Sequence, residues 1–289
     1  MTFTQELTLK TEYANAWIEY LAPKGEGYHS EIFDAANYSI KAGGKRIRPI
    51  IAIAVCEMLG GNAEAVMPFA CAIEFIHTYS LIHDDLPCMD NDDLRRGMPT
   101  NHIKYGEAMA LLAGDTLLNY AFETVANAQA EPKLIVEVLK LISSASGVNG
   151  MIGGQVVDIQ GASSYDELIT MHKMKTGALI SVSAKVGAVV ACADSQKLEK
   201  ITAYAENLGM AFQIRDDLLD VEGDEKSLGK PIGSDEKSGK CTFVNILGID
   251  GTKSALNEYT IKAKRSLDIF GNKAEFLLNL ADYLLTREK

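Results

Sequence analysis

The stretch "FIHTYSLIHDDLPCMDNDDLRRG", Phe75 to Gly97, runs an apolar helical pattern straight into five aspartates and then two arginines. Its first half continues an apolar run that begins at Ala63 and extends to Ile82 with few breakers, the pattern of a helix buried on all sides in a large core. Asp84, Asp85, Asp90, Asp92 and Asp93 then fall within ten residues, and like charges so close repel one another unless something positive binds there. Pro87 cannot continue the helix without cost, so it is expected to end or distort it and to swing Asp90 back towards Asp84. Asp92 and Asp93 read more simply as loop or cap residues.

A second stretch, "GMAFQIRDDLLD", repeats the theme, with Asp216 lying 216 − 84 = 132 residues after Asp84. Here the helical pattern is unbroken, so Asp217 and Asp216 share a helix face with Asp220 at i, i+3 and i, i+4. A solvated acidic face is the ordinary explanation of one such motif. Two of them, each preceded by strongly apolar sequence, favour a cation site. Clusters of hard oxygen ligands without nearby cysteine or paired histidine suit Mg²⁺ better than zinc. Mg²⁺ is usually held by a few carboxylates plus substrate phosphates, so two such motifs on facing helices read as a clamp on a diphosphate.

The remaining patterns are helical too. "PKLIVEVLKLISSASG" starts on Pro132 and stops on Gly147. "SYDELITMHKMKTGALISVSAKVGAVVACA" opens with Ser164 and Glu167 at capping-box spacing, and "SQKLEKITAYAENLGMAFQIRDDLLDVEGD" continues as a long helix to near Gly223. No segment alternates with period two between turn dipeptides. The expected fold is therefore all-α, a single domain over residues 1–289 built as one large bundle of long helices. The Gly/Ser/Lys-rich stretch at 223–240 is expected to be a flap rather than a domain linker.

Composition narrows the function classes. The 289 residues carry a net charge of −11, which argues against a nucleic-acid partner and against an anionic membrane surface. Anionic substrates then require a local basic patch or a bound metal. Five scattered cysteines without a C-x-x-C pair fit reduced thiols. "GALISVSAKVGAVVACA" is short, rich in small residues and interrupted by Lys185, so it reads as a buried helix rather than a membrane span. A soluble, cytoplasmic protein is expected.

Basic counterparts exist. "AGGKRIRP" sets Lys45, Arg46 and Arg48 between a Gly-Gly and Pro49. That is both a helix boundary and a phosphate-binding pattern at a helix start. Arg95 and Arg96 add two guanidiniums suited to phosphate oxygens. Lys175, Lys230 and Lys240 are single lysines whose ordinary reading is a solvated ammonium. His77 lies in an apolar run, where a core histidine is the commoner outcome. Gln155 and Gln213 are amides in apolar context and need partners in the protein or on a ligand.

Taken in order, "GGKRIRP", "HDDLPCMDNDDLRRG", "GGQVVD", "KTGAL" and "FQIRDDLLD" resemble the trans-isoprenyl diphosphate synthases, over about Ile40 to Lys240. The spacing of the first aspartate motif resembles the bacterial and plastid branch. The resemblance implies an all-α bundle around a deep cavity, usually a homodimer, that joins isopentenyl diphosphate head-to-tail to an allylic diphosphate. It implies that Asp84, Asp85 and Asp90, with Asp216, Asp217 and Asp220, hold about three Mg²⁺ on the allylic diphosphate. Arg95, Lys175 and Lys240 would contact that leaving group, and Lys45, Arg48, His77 and Arg96 would hold isopentenyl diphosphate. Lys175, Thr176 and Gln213 would border the carbocation, with Lys230 near the pyrophosphate.

Product length is expected to turn on Tyr79. It precedes Asp84 by five residues, roughly 7.5 Å deeper along the helix axis, with small Ser80 beside it. A bulky aromatic there resembles the floor of enzymes that stop at farnesyl diphosphate, although an aromatic core residue is the plainer reading. Geranyl or geranylgeranyl diphosphate is the alternative product. A metal-dependent phosphohydrolase built on His83-Asp84 explains neither "DDLLD" nor the basic motifs. An inactive partner subunit is expected to have lost an aspartate motif, and both are intact.

Overall fold

The computed structural model describes residues 1–222 and 241–286. Among these the secondary structure is helical apart from a two-residue hairpin, Leu94–Arg95 (β1) paired antiparallel with Met98–Pro99 (β2). The helices are α1 (Phe3–Leu21), α2 (Glu31–Lys41), α3 (Ile47–Met58), α4 (Ala63–Asp84), α5 (Asn101–Tyr105), α6 (Glu107–Ala126), α7 (Pro132–Ser146) and α8 (Met151–Gln160). They continue with α9 (Tyr165–His172), α10 (Ala178–Val190), α11 (Ser195–Glu222), α12 (Phe243–Ser266) and α13 (Glu275–Thr286). The expected all-α class is observed. Pro132 opens α7, and the residue after its end is Gly147, as the sequence rules require.

Chain contacts separate two compact units: Met1–Ile53 with Asn62–Leu139, and Ala54–Gly61 with Lys140–Lys289. In the first, α4 is the central element and packs on α6, α1 and α2. Asn62 caps its start by accepting from the Glu64 N–H at 2.9 Å. Val66, Met67, Phe69, Ala70, Ile73, Phe75 and Ile76 are all buried, so α4 has apolar contacts on every side. Opposite it, α6 offers Ala110, Ala113, Gly114 and Ala121, small residues that let two helix backbones come close. α4 is long and apolar enough to cross a membrane by composition, but 72% of the window that qualifies is buried in protein.

In the second unit α11 packs against α10, α12 and α13. Leu168, Met171, Met210, Ile214, Leu218, Phe243 and Leu256 form a core between α9, α11 and α12. The pattern from Ser164 onward does not make one uniform helix. Lys173–Gly177 forms a π-helical turn between α9 and α10, a local overwidening that recurs at functional sites. Ser164 caps α9 through the Glu167 N–H, as expected, but the Glu167 carboxylate reaches back to Ser163 rather than to Ser164. The run "ALISVSAKVGAVV" is α10, most of it buried.

Candidate active site

The end of α4 is built as its proline demands. The helix stops at Asp84 with Asp85 as C-cap, and the chain turns at Pro87 so that the Asp90 N–H donates to the Asp84 carbonyl at 2.8 Å. Asn91, at φ 54°, completes the turn by donating to the Leu86 carbonyl at 3.2 Å. Asp90 is thereby carried back beside Asp84, as expected. Asp84 is half-buried and Asp90 exposed, whereas Asp85 between them is buried. Arg95 holds Asp85, with Nε 2.6 Å and Nη2 2.5 Å from Oδ1, and also bonds Asp92 at 3.1 Å. Asp92 therefore anchors the arginine, which fits its structural reading. Burial raises the Asp85 carboxyl above its ordinary pKa, and the Arg95 bond reverses only part of that.

The second motif repeats this division. On α11, Asp216 and Asp220 are half-buried and Asp217 is buried. Asp217 accepts the Phe243 backbone N–H at 2.7 Å. A carboxylate there satisfies one of the unpaired donors at the start of α12 and complements the helix dipole. The Gln213 amide donates to Asp216 at 3.1 Å, which supplies the polar partner that its apolar setting called for. In both motifs, then, the middle aspartate is tied to the protein framework and the outer ones lie nearer solvent.

The basic motif divides too. Arg46, at φ 50°, is buried and donates to Glu74 at 2.9 Å, to the Ile40 carbonyl at 2.7 Å and to Asn15 at 2.9 Å. It therefore pins α1 and α2 to α4 and is no phosphate ligand, although the sequence groups it with Lys45 and Arg48. Lys45 is exposed. Arg48 is half-buried, and its buried Nε has no hydrogen-bond partner among the described residues. Burial pushes its pKa down to about 10 despite Glu74. Arg96 lays its guanidinium over Gly43-Gly44 and donates to the Gly43 carbonyl. A side chain at Gly44 would collide with it.

His77 stands among these cations. Burial first, then Arg48, Arg96, Arg46 and Arg95, hold its pKa well below the ordinary histidine value. Two of these guanidiniums are already neutralised, Arg46 by Glu74 and Arg95 by Asp85 and Asp92, which leaves Arg48 and Arg96 as the cations facing a neutral imidazole. The second oxygen of Glu74 is itself buried without a partner among the described residues. A phosphate group is the natural counter-charge for such a site.

The polyprenyl synthetase family model matches residues 29–271. The chain belongs to that family. It is accordingly a prenyltransferase of the trans-isoprenoid type. It is 41% identical to the farnesyl diphosphate synthase of Micrococcus luteus, over 99% of both chains. It is 44% identical to the geranylgeranyl diphosphate synthase of Cyanophora paradoxa, over 89% of this chain and 87% of the relative. Among solved structures, an apo FPP/GFPP synthase from Zymomonas mobilis superposes with a TM-score of 0.88 at 33% identity, covering 98% of this chain and 99% of that one.

The family's other expected positions are placed as follows. Lys175 and Thr176 lie in the π-helical turn, both half-buried. Lys175 Nζ donates to Asp158 at 2.6 Å, so it is not the solvated lysine that its isolated position suggests. Asp158 is a partner the sequence reading passed over, although it closes the quoted "GGQVVD". Gly154, in the same motif, lies so close that a Cβ there would sit 2.2 Å from the Lys175 nitrogen. Lys230 and Lys240, and the stretch expected to form a flap, lie outside the described residues. Tyr79 is buried on α4, with its hydroxyl unpartnered among the described residues, and burial together with Asp84 pushes its pKa up to about 12. Ser80 donates to the His77 carbonyl at 2.9 Å.

Proposed function

We propose that this chain condenses isopentenyl diphosphate with dimethylallyl and then geranyl diphosphate, releasing pyrophosphate and ending at farnesyl diphosphate. The observation that carries the substrate class is Arg48, whose buried Nε has no hydrogen-bond partner among the described residues and which lies in the same electrostatic neighbourhood as Arg96 and neutral His77. Such a pair of cations is costly without an anion and becomes favourable when a diphosphate binds. In this reading Lys45, Arg48, His77 and Arg96 hold isopentenyl diphosphate, while Arg95, Lys175, Lys230 and Lys240 serve the leaving pyrophosphate. Arg46 keeps the basic loop in place.

The donor chemistry suits Mg²⁺: aspartate oxygens in two motifs, with the Asp90 backbone returned beside that of Asp84, although no three such side chains stand clustered among the described residues and the diphosphate would have to complete the site. Asp84, Asp85, Asp90, Asp216, Asp217 and Asp220 would supply the ligands, Asp85 and Asp217 being tied also to Arg95 and to the Phe243 N–H, and about three ions are expected. When bound, Mg²⁺ would neutralise charge building on the departing pyrophosphate. Thr176 and Gln213 offer oxygens that would border the allylic cation. Tyr79, a bulky side chain one and a half turns before Asp84, would close the cavity at a C15 product. C15 is supported by the Micrococcus luteus farnesyl diphosphate synthase, matched over 99% of both chains, and by two further farnesyl diphosphate synthases at 41–44% identity, while geranylgeranyl diphosphate synthases at 40–44% identity keep C20 as the alternative product.

The reading includes one catalytic domain over residues 1–289, a homodimer and a cytoplasmic location. The homodimer is supported by exposed apolar side chains on α6 (Leu111, Leu112) and along one face of α8 (Ile152, Val156, Ile159). The test is incubation of the purified protein with dimethylallyl and isopentenyl diphosphates plus Mg²⁺, followed by product analysis by chain length. Farnesyl diphosphate is expected, with turnover abolished by chelation and restored by Mg²⁺. Absence of any lengthened prenyl diphosphate overturns the proposal.

A further inference from the structure

Building on the chain-elongation reading above, we infer that His83 is a positioning residue: seated in a notch at Gly114, it holds the Tyr79 ring and so sets product length. Tyr79 and His83 are i, i+4 neighbours on α4. Their rings meet edge-on, with centroids 5.7 Å apart and planes at 79°. Nothing else polar fixes the tyrosine, because its buried hydroxyl has no hydrogen-bond partner among the described residues. A phenol without a hydrogen bond keeps its rotamer through packing alone, and the imidazole supplies one side of that packing.

The imidazole is itself held from α6. Its Nε2 lies 3.0 Å from the Leu111 carbonyl. A carbonyl only accepts, so Nε2 carries the proton. Asp115 Oδ1 lies 4.0 Å from the same nitrogen. One turn along from Leu111, Gly114 has no side chain where the ring sits. A Cβ built there would lie 2.0 Å from Nε2 and 2.3 Å from Cδ2. Glycine costs an α-helix interior roughly 1 kcal/mol against alanine, and at this position its absence of a side chain is what admits the ring. His83 keeps 24% of its side chain exposed, so its primary service is not to fill the core. It links α6 to the aromatic wall beneath Asp84.

The test compares His83→Ala, Gly114→Ala and the double variant with wild type, reading the ratio of C20 to C15 product at saturating isopentenyl diphosphate. Thermal melts run alongside. His83→Ala is expected to free Tyr79 and raise that ratio several-fold. Gly114→Ala should do the same by driving the intact imidazole from its notch, and the double variant should match His83→Ala rather than add to it. A merely structural histidine would lower melting temperature and leave the ratio unchanged, and that result overturns the inference. If Gly114→Ala does not fold, His83→Ala alone decides. Tyr79→Ala separates the two layers: a lengthened product there with an unchanged one in His83→Ala rejects the role of His83 only. An unchanged product in Tyr79→Ala rejects the floor itself and this inference with it.

Discussion

Replacing Arg46 by methionine separates a framework cation from a substrate cation. Arg46 and Glu74 are each about 4% exposed and meet at 2.9 Å. The same guanidinium serves the Ile40 carbonyl and Asn15. Removing it leaves a buried carboxylate without its charge partner, which costs about 3–5 kcal/mol. With a urea m-value of about 3 kcal/mol/M, the upper end of the range for small proteins, the unfolding midpoint should fall by about 1 to 1.7 M. Arg46→Met with Glu74→Leu removes both charges and should recover most of that loss, because an apolar pair of similar volume replaces a desolvated one. In that double variant, turnover per folded molecule should stay within a few-fold of wild type. The assay is urea unfolding followed by circular dichroism, paired with steady-state kinetics. A midpoint shift under about 0.3 M for Arg46→Met, or a double variant no more stable than the single one, refutes the assignment.

The two aspartate motifs should respond by position. Asp84→Ala or Asp216→Ala is expected to cut turnover by a factor of 100 or more on the scale of lost charge stabilisation, with little change in melting. Asp217→Ala should cost about 1–3 kcal/mol of stability, since it strands the Phe243 N–H, and circular dichroism melts will tell the two classes apart. Stability should also fall with acid through His172. Burial, against the flat face of Phe243 at 5.6 Å, pushes its pKa down to about 4. The unfolded chain then takes up a proton below pH 6.5 that the folded chain refuses, and His77 acts in the same direction. Between pH 6.5 and 5 His172 alone should remove about 1.6 kcal/mol. His172→Phe should flatten that slope in urea titrations, and an unchanged slope would count against it.

What could be read from the chain was local. Pro87 dictates the turn that returns Asp90 to Asp84 because its ring excludes the next helical bond. Pro132 and Gly147 bracket α7 for equally local reasons. The distinctions among like residues were not legible. Lys45, Arg46 and Arg48 look alike in sequence, and only the fold brings Glu74 and Asn15 to Arg46. Asp85 and Asp217 differ from their neighbours through Arg95, ten residues on, and Phe243, twenty-six residues on. The π-helical turn carries no periodicity signal, and the pairing of Lys175 with Asp158 spans seventeen residues.

Gly154 bears on how this enzyme could be engineered. Helical glycines are the first positions a stabilisation campaign changes to alanine, for a gain of up to about 1 kcal/mol each. At Gly154 that substitution would push against the backbone of Lys175, 2.2 Å from the added carbon. Thermostable variants should therefore be sought at other helix positions, leaving Gly154, with Gly114, as fixed points of the design.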